Sequence, residues 1–103
     1  MLEAAEEHLK RAEKLRRQGR DLAWLARQVV PRFGLAPDEI YRPGQRRPLV
    51  TARSVACYFA VHALGLRATR VARALGCTQP AVSLAVSRGE QLATSQGIRL
   101  GGE

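Results

Sequence analysis

Glycine and proline cut this chain into segments whose apolar residues recur at helical spacing. The breaks fall at Gly19, at Pro31 and Gly34, along Arg42-Pro43-Gly44-Gln45-Arg46-Arg47-Pro48, and at Gly65 and Gly76. Between them, Leu2, Ala5, Leu9, Ala12 and Leu15 share one face, and Leu22, Leu25, Ala26, Val29 and Phe33 another. Val55, Phe59, His62 and Leu66 form a third stripe, with Ala52, Ala56 and Ala63 beside it; Val71, Ala72 and Leu75 a fourth; Val82, Ala85, Val86 and Leu92 a fifth. Much of the apolar content is Ala, Leu and Val, and the only aromatics are Trp24, Phe33, Tyr41, Tyr58 and Phe59. Such a composition favours helices over sheets. The 103 residues are therefore expected to form an all-α, compact helical bundle. Residues 1–18 read as a charged helical extension, 19–93 as the domain, and 94–103 as a frayed tail.

Local signals support the element limits. Glu3, Glu6 and Glu7 lead the first helix, from Leu2 to Gln18, while Lys14, Arg16 and Arg17 close it, as the helix dipole prefers. Glu6–Lys10 and Glu7–Arg11 are spaced for ion pairs one turn apart. Asp21 is placed to cap the second helix, which Pro31 ends near Val30. Pro37-Asp38-Glu39-Ile40 reads as a helical turn capped by Asp38. A long helix is expected from about Thr51 to Leu64, a shorter one over 66–75, and a last one capped by Thr78 with Pro80 in its first turn. Trp24 belongs with the core.

Charge then narrows the function. Between Ile40 and Gly89 fifty residues contain no Asp or Glu and eight arginines: Arg42, Arg46, Arg47, Arg53, Arg67, Arg70, Arg73 and Arg88. The first 39 residues nearly balance, with eight Lys/Arg against seven Asp/Glu, so the net charge of +8 resides in the central block. A positive field of this kind suits the phosphate backbone of nucleic acid. Catalysis is disfavoured: the block has no carboxylate pair for acid–base or metal work, and Tyr58 and His62 read as packing residues. Cys57 and Cys77 lack the spacing of a CxxC pair and read as reduced thiols; with His8 and His62 they make no zinc-ligand pattern. No cofactor is expected. No apolar run approaches a membrane span, and the acidic N-terminus has no signal core, so a cytoplasmic protein is expected.

Residues 68–83, Ala-Thr-Arg-Val-Ala-Arg-Ala-Leu-Gly-Cys-Thr-Gln-Pro-Ala-Val-Ser, fit a helix-turn-helix. Val71 and Leu75 pack the first helix, Ala72 stays small beneath the second, and Gly76 permits the turn. A helix held in this way offers its N-terminal turn to the major groove. An ordinary helical hairpin would match the apolar pattern too, but has no need of Arg67, Arg70, Arg73 and Arg88 without acids among them. On the second helix, Gln79 could pair with adenine, Ser83 and Ser87 could meet base edges or phosphate, and Arg88 either. On the helix before the turn, Arg67, Thr69, Arg70 and Arg73 suit phosphates. Thr78 is a cap whose neighbouring backbone N–H groups could also take a phosphate.

The stretch Ala52-Arg53-Ser54-Val55-Ala56-Cys57-Tyr58-Phe59-Ala60-Val61-His62-Ala63-Leu64, followed by this helix-turn-helix, resembles the C-terminal DNA-binding domain of the bacterial replication initiator DnaA. The resemblance extends from about Asp21 to Leu92. It implies a Trp-repressor-like fold, and a basic loop with Arg42, Arg46 and Arg47 that reaches the minor groove, Arg46 or Arg47 being the residue that enters. Arg53 matches a position that supports the loop and the backbone, or is structural. The family's Asp-His-Thr-Thr-Val signature is replaced here by Thr78-Gln79-Pro80-Ala81-Val82, so the initiator's box is not the expected target. The Ala-Val-Ser helix and the Leu-Gly-Leu turn are more similar to the variant appended to REP-associated tyrosine transposases, whose His-apolar-His motif and nucleophilic Tyr this chain lacks. The expectation is a double-stranded DNA-binding portion of a transposase-related protein. The Leu2 to Gln18 helix offers a surface for a second copy or a larger protein; the rival expectation makes it the partner face of an assembly or adaptor module.

Overall fold

The computed structural model describes residues 10, 12–14, 17–19, 21–42, 44 and 46–98. Among these every regular element is helical, as the sequence predicts. Helix α1 spans Leu22–Val29 and passes into a 3-10 turn, Val30–Phe33; a second 3-10 turn spans Pro37–Tyr41. Three further helices follow: α2, Arg47–His62; α3, Ala68–Leu75; and α4, Gln79–Gln96.

The Asp21 cap is in place, its carboxylate accepting from the Trp24 N–H at 3.0 Å. Leu22, Leu25, Ala26 and Val29 are buried, and Trp24 packs at the edge of the core. Pro31 ends the α-helical geometry where expected, because it has no N–H to continue the ladder. The 3-10 turn after Ala36 is closed differently from the expectation. Glu39, not Asp38, reaches back, accepting from the Ala36 N–H at 2.6 Å, while Asp38 faces Arg42.

Helix α2 is the axle of the bundle. Leu49, Ala52, Ser54, Val55, Ala56, Cys57, Phe59 and Ala60 are all buried, more than one face's worth, as befits a helix packed on several sides. It begins four residues earlier than expected. Pro48 sits in its first turn, where the missing N–H has no partner to lose. The basic loop is correspondingly shorter, with Arg46 as N-cap and Arg47 already helical. His62 is a further correction: it is exposed at the end of α2, its ring 5.1 Å from that of Tyr58.

Helix α4 crosses α2 at close range. Gly89 makes this crossing, because a Cβ there would run into the Ser54 carbonyl and lie 2.7 Å from the Tyr58 Cβ. Val82 and Ala93 are buried on either side of it, and Ala85, Val86 and Leu92 are partly buried. The helix continues to Gln96, beyond the expected start of the tail, since Ala93 is buried and Ile98 still packs on the core. Residues 99–103 lie outside the described residues.

Most of the first helix, Glu6–Lys10 and Glu7–Arg11 included, also lies outside them. Residues 10, 12–14 and 17 are helical, and Gln18 donates to the Lys14 carbonyl at 3.1 Å. Ala12 is fully buried while Lys10, Glu13, Lys14 and Arg17 are exposed, so this segment is covered on the side of Ala12.

Candidate nucleic-acid interface

The turn between α3 and α4 carries the proposed surface. Gly76 closes α3 at φ +69°, a left-handed conformation that a side-chain-bearing residue enters only at a cost. Two residues later the Thr78 hydroxyl accepts from the Ala81 N–H at 3.3 Å and starts α4. Val71, Ala72 and Leu75 are buried beneath, and Val82 is fully buried. This packing fixes the rotation of α4. With Val82, Gly89 and Ala93 inward, the periodicity turns Pro80, Ser83, Leu84, Ser87, Arg88 and Gln91 out, and all six are exposed. Gln79 is exposed in the first turn.

The arginines fall into two sets. Arg67, Arg70, Arg73 and Arg88, on or next to α3 and α4, are exposed, and Thr69 with them. Among the described residues the ion pairs are Glu13–Arg17, Asp38–Arg42 and Glu39–Arg46, so none engages these four or the exposed Arg47. The loop set is different. Arg42 pairs with Asp38 at 3.1 Å and Arg46 with Glu39 at 3.0 Å. Asp38 and Glu39 lie just before the acid-free block and fold back onto its first arginines, so the block is acid-free in sequence but only partly so in space.

Arg53 is the keystone of the loop. Its Nε donates to the Ile40 carbonyl at 3.3 Å, its Nη1 to Gly44 at 3.4 Å and its Nη2 to Arg42 at 2.7 Å. One planar guanidinium thus gathers three carbonyls, a task the single ammonium of lysine does not match. The sequence left Arg53 between a structural and a binding role; these bonds give it a structural one. Its effect is to bring the loop against the turn. A cleft of about 300 Å³ is lined from the loop by Tyr41, Arg42, Gly44 and Arg53, and from the α3–α4 turn by Leu75, Gly76 and Cys77. Loop and turn therefore share one side of the molecule. A neighbouring depression of about 260 Å³ is lined by Arg70 and Ala74 of α3 together with Asp21 and Ala23, and Tyr41 borders both.

Electrostatics follow from these contacts. The Ala36 N–H, aided by Arg46 and Arg42 against some desolvation, holds the Glu39 carboxyl below its ordinary pKa. Burial raises the Tyr41 hydroxyl, with Asp21 adding and Arg27 opposing. Burial, with Cys77 nearby adding and Arg53 opposing, pushes the Cys57 thiol up to about 12, which favours its protonated form. Among the described residues no group of three His, Cys, Asp or Glu side chains gathers to hold a metal, and no helix is long and apolar enough to cross a membrane.

The sequence missed one residue of this surface. Leu84 is 55% exposed near the centre of the outward face of α4. Its phase could have revealed it: two positions after the buried Val82, it falls on the opposite side of the helix.

Comparison with protein-family models, with curated proteins and with solved structures finds no match to this chain. The functional reading therefore rests on the residues themselves.

Proposed function

We propose that the protein binds double-stranded DNA through α3, the Gly76 turn and α4 acting as a helix-turn-helix, with sequence preference supplied by α4. The observation that carries this reading is the pairing of two properties in α3 and α4. An outward, capped helix presents Gln79, Ser83, Ser87 and Arg88, and the arginines beside it have no acidic partner among the described residues. In this reading α4 enters the major groove. Gln79 contacts adenine, the serines contact base edges or phosphate, and Arg88 reaches either. Arg67, Thr69, Arg70 and Arg73 take phosphates, and the α4 N-terminus at Thr78 takes another. Arg47, exposed and without an ion pair among the described residues, is the better minor-groove candidate than Arg46, which Glu39 engages. Arg42 and Arg53 shape the loop. The resemblance to the transposase-appended domain supports a role as the DNA-binding portion of a transposase-related protein.

The adaptor alternative needs a free face on the N-terminal helix. Ala12 of that helix is buried and so not open to a partner, which favours the DNA reading.

The test is selection from a random duplex library near physiological salt, followed by titration of the selected duplex across salt concentrations. Binding should weaken with a log–log slope of about −0.9 per phosphate neutralised. A slope near zero, or no enrichment, refutes the reading. DNA binding absent while a protein partner is retained, and lost on removing residues 1–18, gives the adaptor reading its place.

A further inference from the structure

Leu84 lies largely outside the core of the fold. It is 55% exposed, and with Tyr41 it makes up the exposed large hydrophobics among the described residues. A single exposed leucine is common on protein surfaces; its position is what distinguishes this one. It stands on the outward face of α4 between Ser83, Ser87 and Arg88, all exposed. Pro80, one turn earlier and also exposed, extends it into a short apolar ridge along an otherwise polar face.

The charge around the ridge limits what can cover it. A second copy would bring the same arginines against each other, and one leucine with one proline is far too little for a stable interface. A duplex is attracted by those arginines. Its major groove holds one apolar feature at base level, the 5-methyl group carried by thymine or by methylated cytosine.

We propose that Leu84 is a specificity-determining residue that packs on a pyrimidine 5-methyl group, thymine in the preferred site. The proposal rests on the DNA-binding reading above and adds to it the chemical group that α4 reads besides hydrogen-bonding edges. Pro80 and Leu84 stand about 6 Å apart along the helix axis. That is close to two nucleotide steps of about 3.4 Å, so one or two thymines are expected.

The experiment uses the full chain and a duplex from the selection, with each thymine replaced in turn by deoxyuridine, which removes only the methyl group. The expected result is a loss of about fourfold in affinity at one or two positions, the effect of one methyl group leaving water, and no loss at those positions for Leu84→Ala. At a sensitive position, 5-methylcytosine paired with guanine should bind more tightly than unmethylated cytosine in the wild type and equally in Leu84→Ala; this arm separates the methyl group from the rest of thymine. Indifference of the wild type to every deoxyuridine, or equal sensitivity in Leu84→Ala, overturns the proposal while a steep salt slope leaves DNA binding intact. A flat salt slope sinks both, and is read independently of any base replacement.

Discussion

The loop from Ile40 to Arg46, braced by Arg53 of α2, and the pair formed by α3 and the first half of α4 are built from the same acid-free block of sequence, yet they are held by opposite means. Charge and hydrogen bonds hold the loop: Arg53 grips three carbonyls, and Asp38 and Glu39 engage Arg42 and Arg46. Packing holds the helices: Val71, Leu75 and Val82 are buried, and Gly89 lets α4 touch α2. The consequence is a division of labour among identical residue types. Where the backbone is irregular and has loose carbonyls, arginine serves the fold. Where apolar burial already fixes the backbone, arginine is left for solvent or a ligand. Counting arginines in a window of sequence does not distinguish the two.

The largest expected effect lies on the packed side. Gly89→Ala sets a methyl group against the Ser54 carbonyl, a backbone atom that cannot swing aside. We expect a loss of about 3 kcal/mol or more, at the upper end for overpacking, measured by urea denaturation. A loss under about 1 kcal/mol would mean that α4 slides easily over α2, and that packing does not fix the rotation of α4.

On the charged side, Arg53→Gln should cost about 2 kcal/mol, since hydrogen bonds from a charged donor to three part-buried or exposed carbonyls are removed together. Arg53→Lys should recover only a fraction, because one ammonium does not reach all three. Amide exchange should quicken around Ile40 and Gly44 and stay unchanged in α4. If α4 exchanges faster as well, the two regions are not separately held.

These two sites show what sequence can disclose. The helices were legible because each stripe, from Leu22–Val29 to Val82–Leu92, has a helical period and a cap or glycine at its ends. The Asp21 and Thr78 caps and the turn at Gly76 were readable one residue at a time. The axle role of α2 was less so, since Ala52, Ala56 and Ala60 look like filler until helices are seen on several sides of them. Gly89 was illegible for a plain reason: within a helix it has no turn to make, and its need comes from Ser54, 35 positions away. The pairing of Asp38 and Glu39 with the loop arginines was hidden because the acids lie outside the block that drew attention. His62 deceived by its spacing, which continues the α2 stripe one turn too far. Of the candidate interface, the outward side of α4 followed from periodicity, whereas the tethering of the loop by Arg53 needed coordinates.

A smaller effect is set by pH. The folded pKa of Glu39 is depressed, so the stability it contributes is present above the unfolded value and is lost as pH falls through the folded one. Loop order should therefore decline only below the ordinary carboxylate range, about 4.3 for glutamate, and Glu39→Gln should remove that dependence. Amide exchange at Arg46 followed from pH 6 to 3 checks it; an unchanged acid response in Glu39→Gln would mean that the loop does not depend on this carboxylate.

The smallest effect on stability is expected at Arg70, and it sharpens the comparison most. Arg70→Gln removes a charge from an exposed position within α3 that has no ion pair among the described residues. Folding stability should change by no more than about 0.5 kcal/mol, as for surface positions generally. Duplex binding should respond all the same: affinity falls for all sequences alike, and the log–log salt slope drops by about 0.9, one phosphate's worth. Arg53→Gln should do the reverse, lowering stability and leaving the slope nearly unchanged, since its guanidinium is turned to the protein's own carbonyls. Measuring both variants by urea denaturation and by salt titration on one duplex places each arginine on one side of the division. If Arg70→Gln destabilises as much as Arg53→Gln, the α3 arginines belong to the fold, and the surface loses the unpaired charge on which the DNA reading depends.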